Sequence, residues 1–142
     1  MKLVLDANIV FSAMIAKGRK LKSTKIDLLF SGKLEFFAPT LLLLELLNNK
    51  EEIKSKSTFS DTDFNNFVEM LKLRVKFIPL KYLSDELKEA KEICNELKDI
   101  AYFALAIKLN CPIWSGEKSF KEQSRIEVLN TKELIRSYFN SL

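Results

Sequence analysis

Lys2-Leu3-Val4-Leu5-Asp6-Ala7-Asn8 is the stretch whose reading decides the fold class. Three consecutive apolar residues closed by an acid are too few for a buried helix, and they read as a short buried strand from Lys2 to Asp6. Asn8 then opens an apolar segment, Ile9 to Ala16, that suits a helix. A strand that hands over to a helix within two residues is the first half of a β-α-β unit, and the same alternation recurs along the chain.

A periodic segment over Lys22 to Phe30 ends at Ser31-Gly32, and Leu34 to Ala38 form a second strand before Pro39. Pro39-Thr40 starts a leucine-rich helix, Leu41 to Leu47 with Glu45 inside it, which is expected to run on through Asn48 to Lys54. Ser55 to Ser60 reads as a polar break. Ser60-Asp61 caps a helix carrying Phe64, Phe67, Val68 and Leu71, and Val75 to Pro79 is a third strand. Ser84-Asp85 is expected to cap the next helix, with Leu87, Ala90, Ile93, Cys94 and Leu97 on one apolar face. The segment from Asp99 to Leu109 is apolar nearly all round and is expected to be buried. Pro112-Ile113-Trp114 makes a fourth strand closed by Ser115-Gly116, Ile126 to Leu129 suits a fifth, and a terminal helix begins near Thr131. The pattern predicts one α/β domain over residues 1–142: a three-layer α/β/α arrangement around a central, mainly parallel twisted sheet of four to five strands.

Composition narrows the chemistry. The chain has no histidine, which excludes a Ser-His-Asp triad, an imidazole acid–base pair and a His-ligated zinc hydrolase. Cys94 and Cys111 form no CxxC pair and read as small core hydrophobes in a reducing compartment, so a cytoplasmic location is expected. No apolar stretch approaches the length of a bilayer span, and the N-terminus carries no h-region, so no membrane association is expected. The net charge of +4 permits attraction to phosphate backbones without identifying one. Two clusters, Lys17, Arg19, Lys20, Lys22 and Lys25, and Lys118, Lys121 and Arg125, suit either a phosphate patch or solvated faces.

Ligands of open α/β sheets bind beyond the carboxyl ends of the strands, which makes Asp6 and Glu117 site candidates. Each also has a local reading, Asp6 as a helix cap and Glu117 as a loop acid. Glu45 is enclosed by leucines, and a buried carboxylate needs a cation, a hydrogen-bond partner or an aqueous cleft. Asp99 heads the most apolar helical stretch with Glu96 three residues before it, a pair that helix capping alone would also explain. Carboxylates converging on one cleft repel one another unless a hard divalent cation sits among them, and Mg²⁺ or Mn²⁺ suits that need. Such ions acidify water and stabilise charge on phosphate, a route to phosphodiester hydrolysis without histidine.

In this order, the strand with Asp6-Ala7-Asn8, then Glu45, then Asp99 with Ala101-Tyr102-Phe103-Ala104-Leu105-Ala106, then Pro112-Ile113-Trp114-Ser115-Gly116-Glu117-Lys118, the chain resembles the PIN-domain family over essentially its whole length. It is most similar to small stand-alone prokaryotic proteins of the VapC toxin type. The resemblance implies a Mg²⁺- or Mn²⁺-dependent endoribonuclease acting on RNA, a small antitoxin protein as partner, and a homodimer. It assigns Asp6, Glu45, Asp99 and Glu117 as the catalytic acids, with Asp6, Asp99 and Glu117 as direct or water-mediated metal ligands. Asn8 and Ser115 match the family's polar positions that orient the metal's water ligands, and Glu96 stands where many relatives carry another acid. Glu117 departs from the aspartate usual there, which opens the alternative of a PIN scaffold that binds RNA or protein with weak chemistry or none. A receiver-type phosphoacceptor fits less well, since Asp6-Ala7-Asn8 lacks paired acids and Pro79-Leu80-Lys81 lacks an acceptor aspartate.

Overall fold

The computed structural model describes residues 1–140. Leu3, Val4 and Leu5 are fully buried in the first strand, β1 (Lys2–Leu5), which has sheet neighbours on both sides. An uninterrupted apolar run is what a strand covered on both faces requires. Chain order continues with α1 (Ala7–Gly18), α2 (Thr24–Phe30), β2 (Glu35–Pro39), α3 (Leu41–Asn48), α4 (Lys50–Ser57), α5 (Asp61–Arg74) and β3 (Val75–Ile78). A 3₁₀ turn at Leu80–Leu83 leads to α6 (Leu87–Ile93), α7 (Leu97–Leu109) and β4 (Ile113–Trp114). A second 3₁₀ turn at Lys118–Glu122, β5 (Val128–Leu129) and α8 (Thr131–Asn140) complete it.

The five strands form one sheet in the order β3-β2-β1-β4-β5, and all four pairings are parallel. The α/β class and the parallel sheet expected from the sequence are therefore present, with five strands. A receiver-like sheet would run 2-1-3-4-5, so the strand order separates this chain from that alternative. Right-handed crossovers put the helices after β1 and β2 on one face and α6 with α7 on the other. The contacts agree: α1 packs with α2, α3 and α4, while α7 packs with α6 and lies on β1, β2 and β4. Trp114 is fully buried and stacks on Phe36 at 5.8 Å between ring centroids. Its indole N–H donates to Thr131 Oγ1 at 3.1 Å, which ties β4 to the start of α8.

Several expected boundaries move. The leucine-rich helix does not run on to Lys54 but is interrupted at Asn49, and α4 then extends to Ser57, so the polar break shortens to Thr58–Ser60. Ser60 does cap α5, as one half of a capping box with Asp63 in which each N–H is accepted by the other's side chain at 3.1 Å. Ser84-Asp85 is not a helix cap, because Ser84 has helical backbone angles after the 3₁₀ turn and a cap needs an extended residue. The expected apolar face from Leu87 to Leu97 is also cut. Cys94 and Glu96 adopt extended conformations, α7 starts afresh at Leu97, and Leu97 itself is 84% exposed.

Gly18 ends α1 where α4 crosses it. A Cβ at Gly18 would lie 2.1 Å from the backbone carbonyl oxygen of Ser57, and the Thr58 hydroxyl donates to the Gly18 carbonyl at 3.3 Å. Because the clash is with backbone, a rotamer change cannot relieve it. Gly18→Ala is expected to lower unfolding free energy by about 1–3 kcal/mol, the usual cost of overpacking, measured by urea denaturation. Unchanged stability would mean that α1 and α4 separate freely.

Candidate active site

The sheet order reverses direction at β1, whose neighbours are β2 on one side and β4 on the other. The crevice beyond the carboxyl ends of β1 and β4 is therefore the switch point at which ligands of such sheets bind. Leu5 pairs with Trp114, so the next residues of the two strands, Asp6 and Ser115, meet at this edge. The Asp6 N–H donates to the Trp114 carbonyl at 3.1 Å. The Ser115 hydroxyl donates to Asp6 Oδ2 at 2.8 Å and accepts the Glu117 N–H at 3.0 Å. Asp6 is 4% exposed and Ser115 1%. Asp6 does occupy the N-cap position of α1, yet its side chain makes no capping bond. Its carboxylate is committed to Ser115, which argues against the purely local reading.

Glu45, Glu96, Asp99 and Glu117 reach the same crevice from other segments. Glu45, on the second turn of α3, is half-buried and accepts a hydrogen bond from the Tyr102 hydroxyl at 2.9 Å. This partner and an open cleft answer the demand its leucine surroundings made, while Leu44 and Leu47 beside it are exposed. Asp99 is the third residue of α7 and 9% exposed. Glu96 occupies the cap position just before the helix and makes no side-chain capping bond. Glu117 caps the 3₁₀ turn after β4 and accepts a hydrogen bond from the Asn8 amide. Asp6, Asn8, Glu45, Glu96, Asp99 and Glu117 all line one cleft of about 570 Å³.

Their electrostatics follow from this placement. Burial, and to a smaller extent the charges of Asp99, Glu117 and Glu45, push Asp6 up to about 6, against a lowering by the Ser115 hydrogen bond. Glu45 and Asp99 are also raised, in both cases chiefly by burial. Asp99 contributes to the rise at Glu45, Glu96 and Glu117 contribute at Asp99, and Lys98 opposes both shifts. Asp6 thus feels acids from three other segments, and Asp99 feels Glu96 as well, in a partly dry cleft.

The sequence matches the PIN domain over residues 4–135. The chain belongs to the PIN-domain family. PIN domains are generally nucleases. Comparison with curated proteins gives no match. Among solved structures, a chain of VapBC2 from Rickettsia felis, in a crystal structure bound to a DNA fragment from their promoter, is similar with a TM-score of 0.61 at 17% identity. That likeness covers 92% of this chain and 98% of the other, and it is a likeness of fold.

In this PIN domain the donor chemistry of the cleft suits a hard divalent ion, since every acid offers oxygen and their mutual repulsion favours a cation among them. Among the described residues, no three acids or cysteines already stand together as a cage. Asn8 and Ser115 both bond to acids of the cleft, Glu117 and Asp6. The sequence reading assigned no site role to Lys98 or Cys94, which line the cleft, nor to Tyr102, which reaches Glu45 from α7. Tyr102 and Asp99 are separated by one helical turn, a spacing that signals a shared face once the helix start is known. Cys94 is half-buried, and its thiol donates to the Glu96 carbonyl at 3.6 Å. The second basic cluster is largely spent on ion pairs, Arg125 with Glu89 at 2.6 Å and Lys121 with Glu133. No helix among the described residues is long and apolar enough to cross a membrane.

A folded-state pKa raised above the unfolded value means that the folded protein binds the extra proton between about pH 4 and 6. The Asp6 contribution is therefore stabilising below that window and is lost as pH rises through it. Ionised Asp6 costs about 3 kcal/mol at neutral pH by this shift. In chelator, Asp6→Asn is expected to melt above wild type at pH 7.5, with the gap closing towards pH 4. A gap independent of pH would show that Asp6 titrates normally.

Proposed function

We propose that this PIN domain is a Mg²⁺- or Mn²⁺-dependent endoribonuclease that hydrolyses RNA phosphodiester bonds. The observation that carries the reading is Asp6: a nearly buried carboxylate at the sheet's switch point, raised to about 6 with Asp99, Glu117 and Glu45 all contributing to the rise. Folding holds these like charges together at a cost, and a hard cation would relieve it. Asp6, Asp99 and Glu117 would hold the ion, and Glu45 completes the acidic wall. When bound, such an ion acidifies water at neutral pH and stabilises charge building on phosphate. Ser115 fixes the carboxylate plane of Asp6, and Asn8 restrains Glu117. The likeness to a VapBC2 chain supports a toxin–antitoxin setting with a small antitoxin as partner, and homodimeric assembly and a cytoplasmic site of action are part of the same proposal.

A second reading, a PIN scaffold that binds RNA or protein without efficient chemistry, rests on Glu117 in place of the shorter aspartate. Mg²⁺ requires near-ideal octahedral geometry, so an extra methylene alters the fit. Glu117→Asp is expected to leave Mg²⁺-dependent cleavage of structured and unstructured RNA intact or to raise it. If it behaves like Glu117→Ala in both Mg²⁺ and Mn²⁺, the site is organised around the longer side chain.

Asp99→Asn separates the catalytic role from a role at the helix terminus. Asp99 is the third residue of α7, not its cap, so the local interaction lost is that of its charge beside the helix N-terminus, about 0.3–1 kcal/mol, which relief of its burial offsets. The variant is expected to fold, to be no less stable than wild type in chelator and to be stabilised less by Mn²⁺. Its RNA cleavage should fall roughly 10²-fold or more, the loss typical of removing one group that stabilises transition-state charge. Cleavage near the wild-type rate at saturating Mn²⁺ would return Asp99 to the helix terminus.

A further inference from the structure

Tyr102 lies one turn after Asp99 on α7, 1% exposed, and its hydroxyl donates to Glu45 Oε1 at 2.9 Å. The bond spans 57 residues of sequence and joins α7 to α3 above the carboxyl edge of the sheet. Glu45 needs such a tether more than the shorter, buried Asp6 and Asp99 do. It is a long, half-exposed side chain on a helix whose neighbouring Leu44 and Leu47 are exposed. The field of the cleft also pushes it away, because Asp99 repels it, while Lys98 on the rim attracts it.

We propose that Tyr102 is a positioning residue: its hydroxyl holds the Glu45 carboxylate inside the cleft, in register with Asp99 on the same helix. This inference rests on the metal-dependent reading of the site. One face of α7 then sets two acids at once, Asp99 directly and Glu45 through Tyr102. A neutral donor is suited to the task, since it fixes one carboxylate oxygen without cancelling the charge. A lysine or arginine at the same place would fix Glu45 and remove its attraction for a cation. The bland alternative is that the hydroxyl merely finds a partner for a buried tyrosine, in which case its loss changes stability and nothing else.

The test compares wild type, Tyr102→Phe, Glu45→Ala and the double variant. Mn²⁺ affinity is read by calorimetry, RNA cleavage in Mn²⁺ by rate, and folding by melting in chelator. Tyr102→Phe is expected to weaken Mn²⁺ binding several-fold and to slow cleavage about tenfold or more, in line with loss of a hydrogen bond to a charged group. In the Glu45→Ala background the same change should do almost nothing to either readout, because its target is gone. Glu45→Asp provides a second route that leaves Tyr102 in place: shortened beyond reach of the hydroxyl but still charged, it should reproduce the losses of Tyr102→Phe. Equal Mn²⁺ affinity and cleavage in wild type, Tyr102→Phe and Glu45→Asp would overturn the proposal, as would equal losses from Tyr102→Phe with and without Glu45. If wild type binds Mn²⁺ and Asp99→Asn weakens that binding, either result removes Tyr102 alone. Failure of wild type to bind Mn²⁺ at all would remove the metal-dependent reading and this inference with it.

Discussion

A carboxylate held almost dry at the end of the central strand is the constraint around which the molecule is arranged. Asp6 follows β1 directly, and its backbone and side chain are both claimed by the segment that ends β4: its N–H by Trp114, one oxygen by Ser115. An ionised acid at 4% exposure is costly without compensation, and one hydroxyl does not neutralise it. The backbone cannot move to relieve the strain. Leu3, Val4 and Leu5 are fully buried, and the strand is hydrogen-bonded on both edges. The tension is therefore fixed by the sheet.

The helices distribute the remaining acids around that fixed point. The interruption at Cys94 to Glu96 turns what could be one helix into two, so that α7 begins at the cleft and lies on β1, β2 and β4 with Asp99 to Ala106 all buried. Its first turn carries Asp99 and its second carries Tyr102, which reaches α3. On the other flank, Glu117 is set by the short turn after β4 and linked to Asn8 in the first turn of α1. The packing that stabilises the sheet also determines where these charges sit. Core substitutions on α7 would for that reason disturb the cleft as well as stability.

Much of this was legible in the residues. The apolar runs at Leu3 to Leu5 and Phe36 to Ala38 can only be strands covered on both sides, and the acids that close or follow the strands mark the functional edge. Strand order was not legible, because β4 and β5 are two residues each and their place depends on tertiary pairing. The Ser84-Asp85 cap failed because a 3₁₀ turn gave Ser84 helical angles, a local competition that side-chain type does not announce. The helical face drawn through Leu97 failed for the same kind of reason, since a three-residue break with Cys94 and Glu96 extended resets the register. Tyr102 was legible only as one residue of an apolar helix, because its role depends on a partner 57 positions away.

Three of the four central acids are held by a neutral donor: Asp6 by the Ser115 hydroxyl, Glu45 by the Tyr102 hydroxyl, Glu117 by the Asn8 amide. Elsewhere this chain pairs acids with cations freely, as at Lys54 with Asp61 and Arg125 with Glu89. The contrast has a physical consequence. A hydroxyl or amide orients a carboxylate and satisfies one lone pair but leaves its charge, whereas an ammonium would do both. Neutral restraint thus preserves the negative potential of the cleft while limiting the motion by which repelling groups would dissipate it. Among the described residues, the lone lysine on the lining, Lys98, lies exposed at the first turn of α7 and acts on Glu45 and Asp99 through its charge alone, forming no hydrogen bond or ion pair with either. The fold keeps the cleft acidic by choosing its hydrogen-bond donors from the uncharged side chains, and that choice distinguishes the cleft from the ion-paired surface around it.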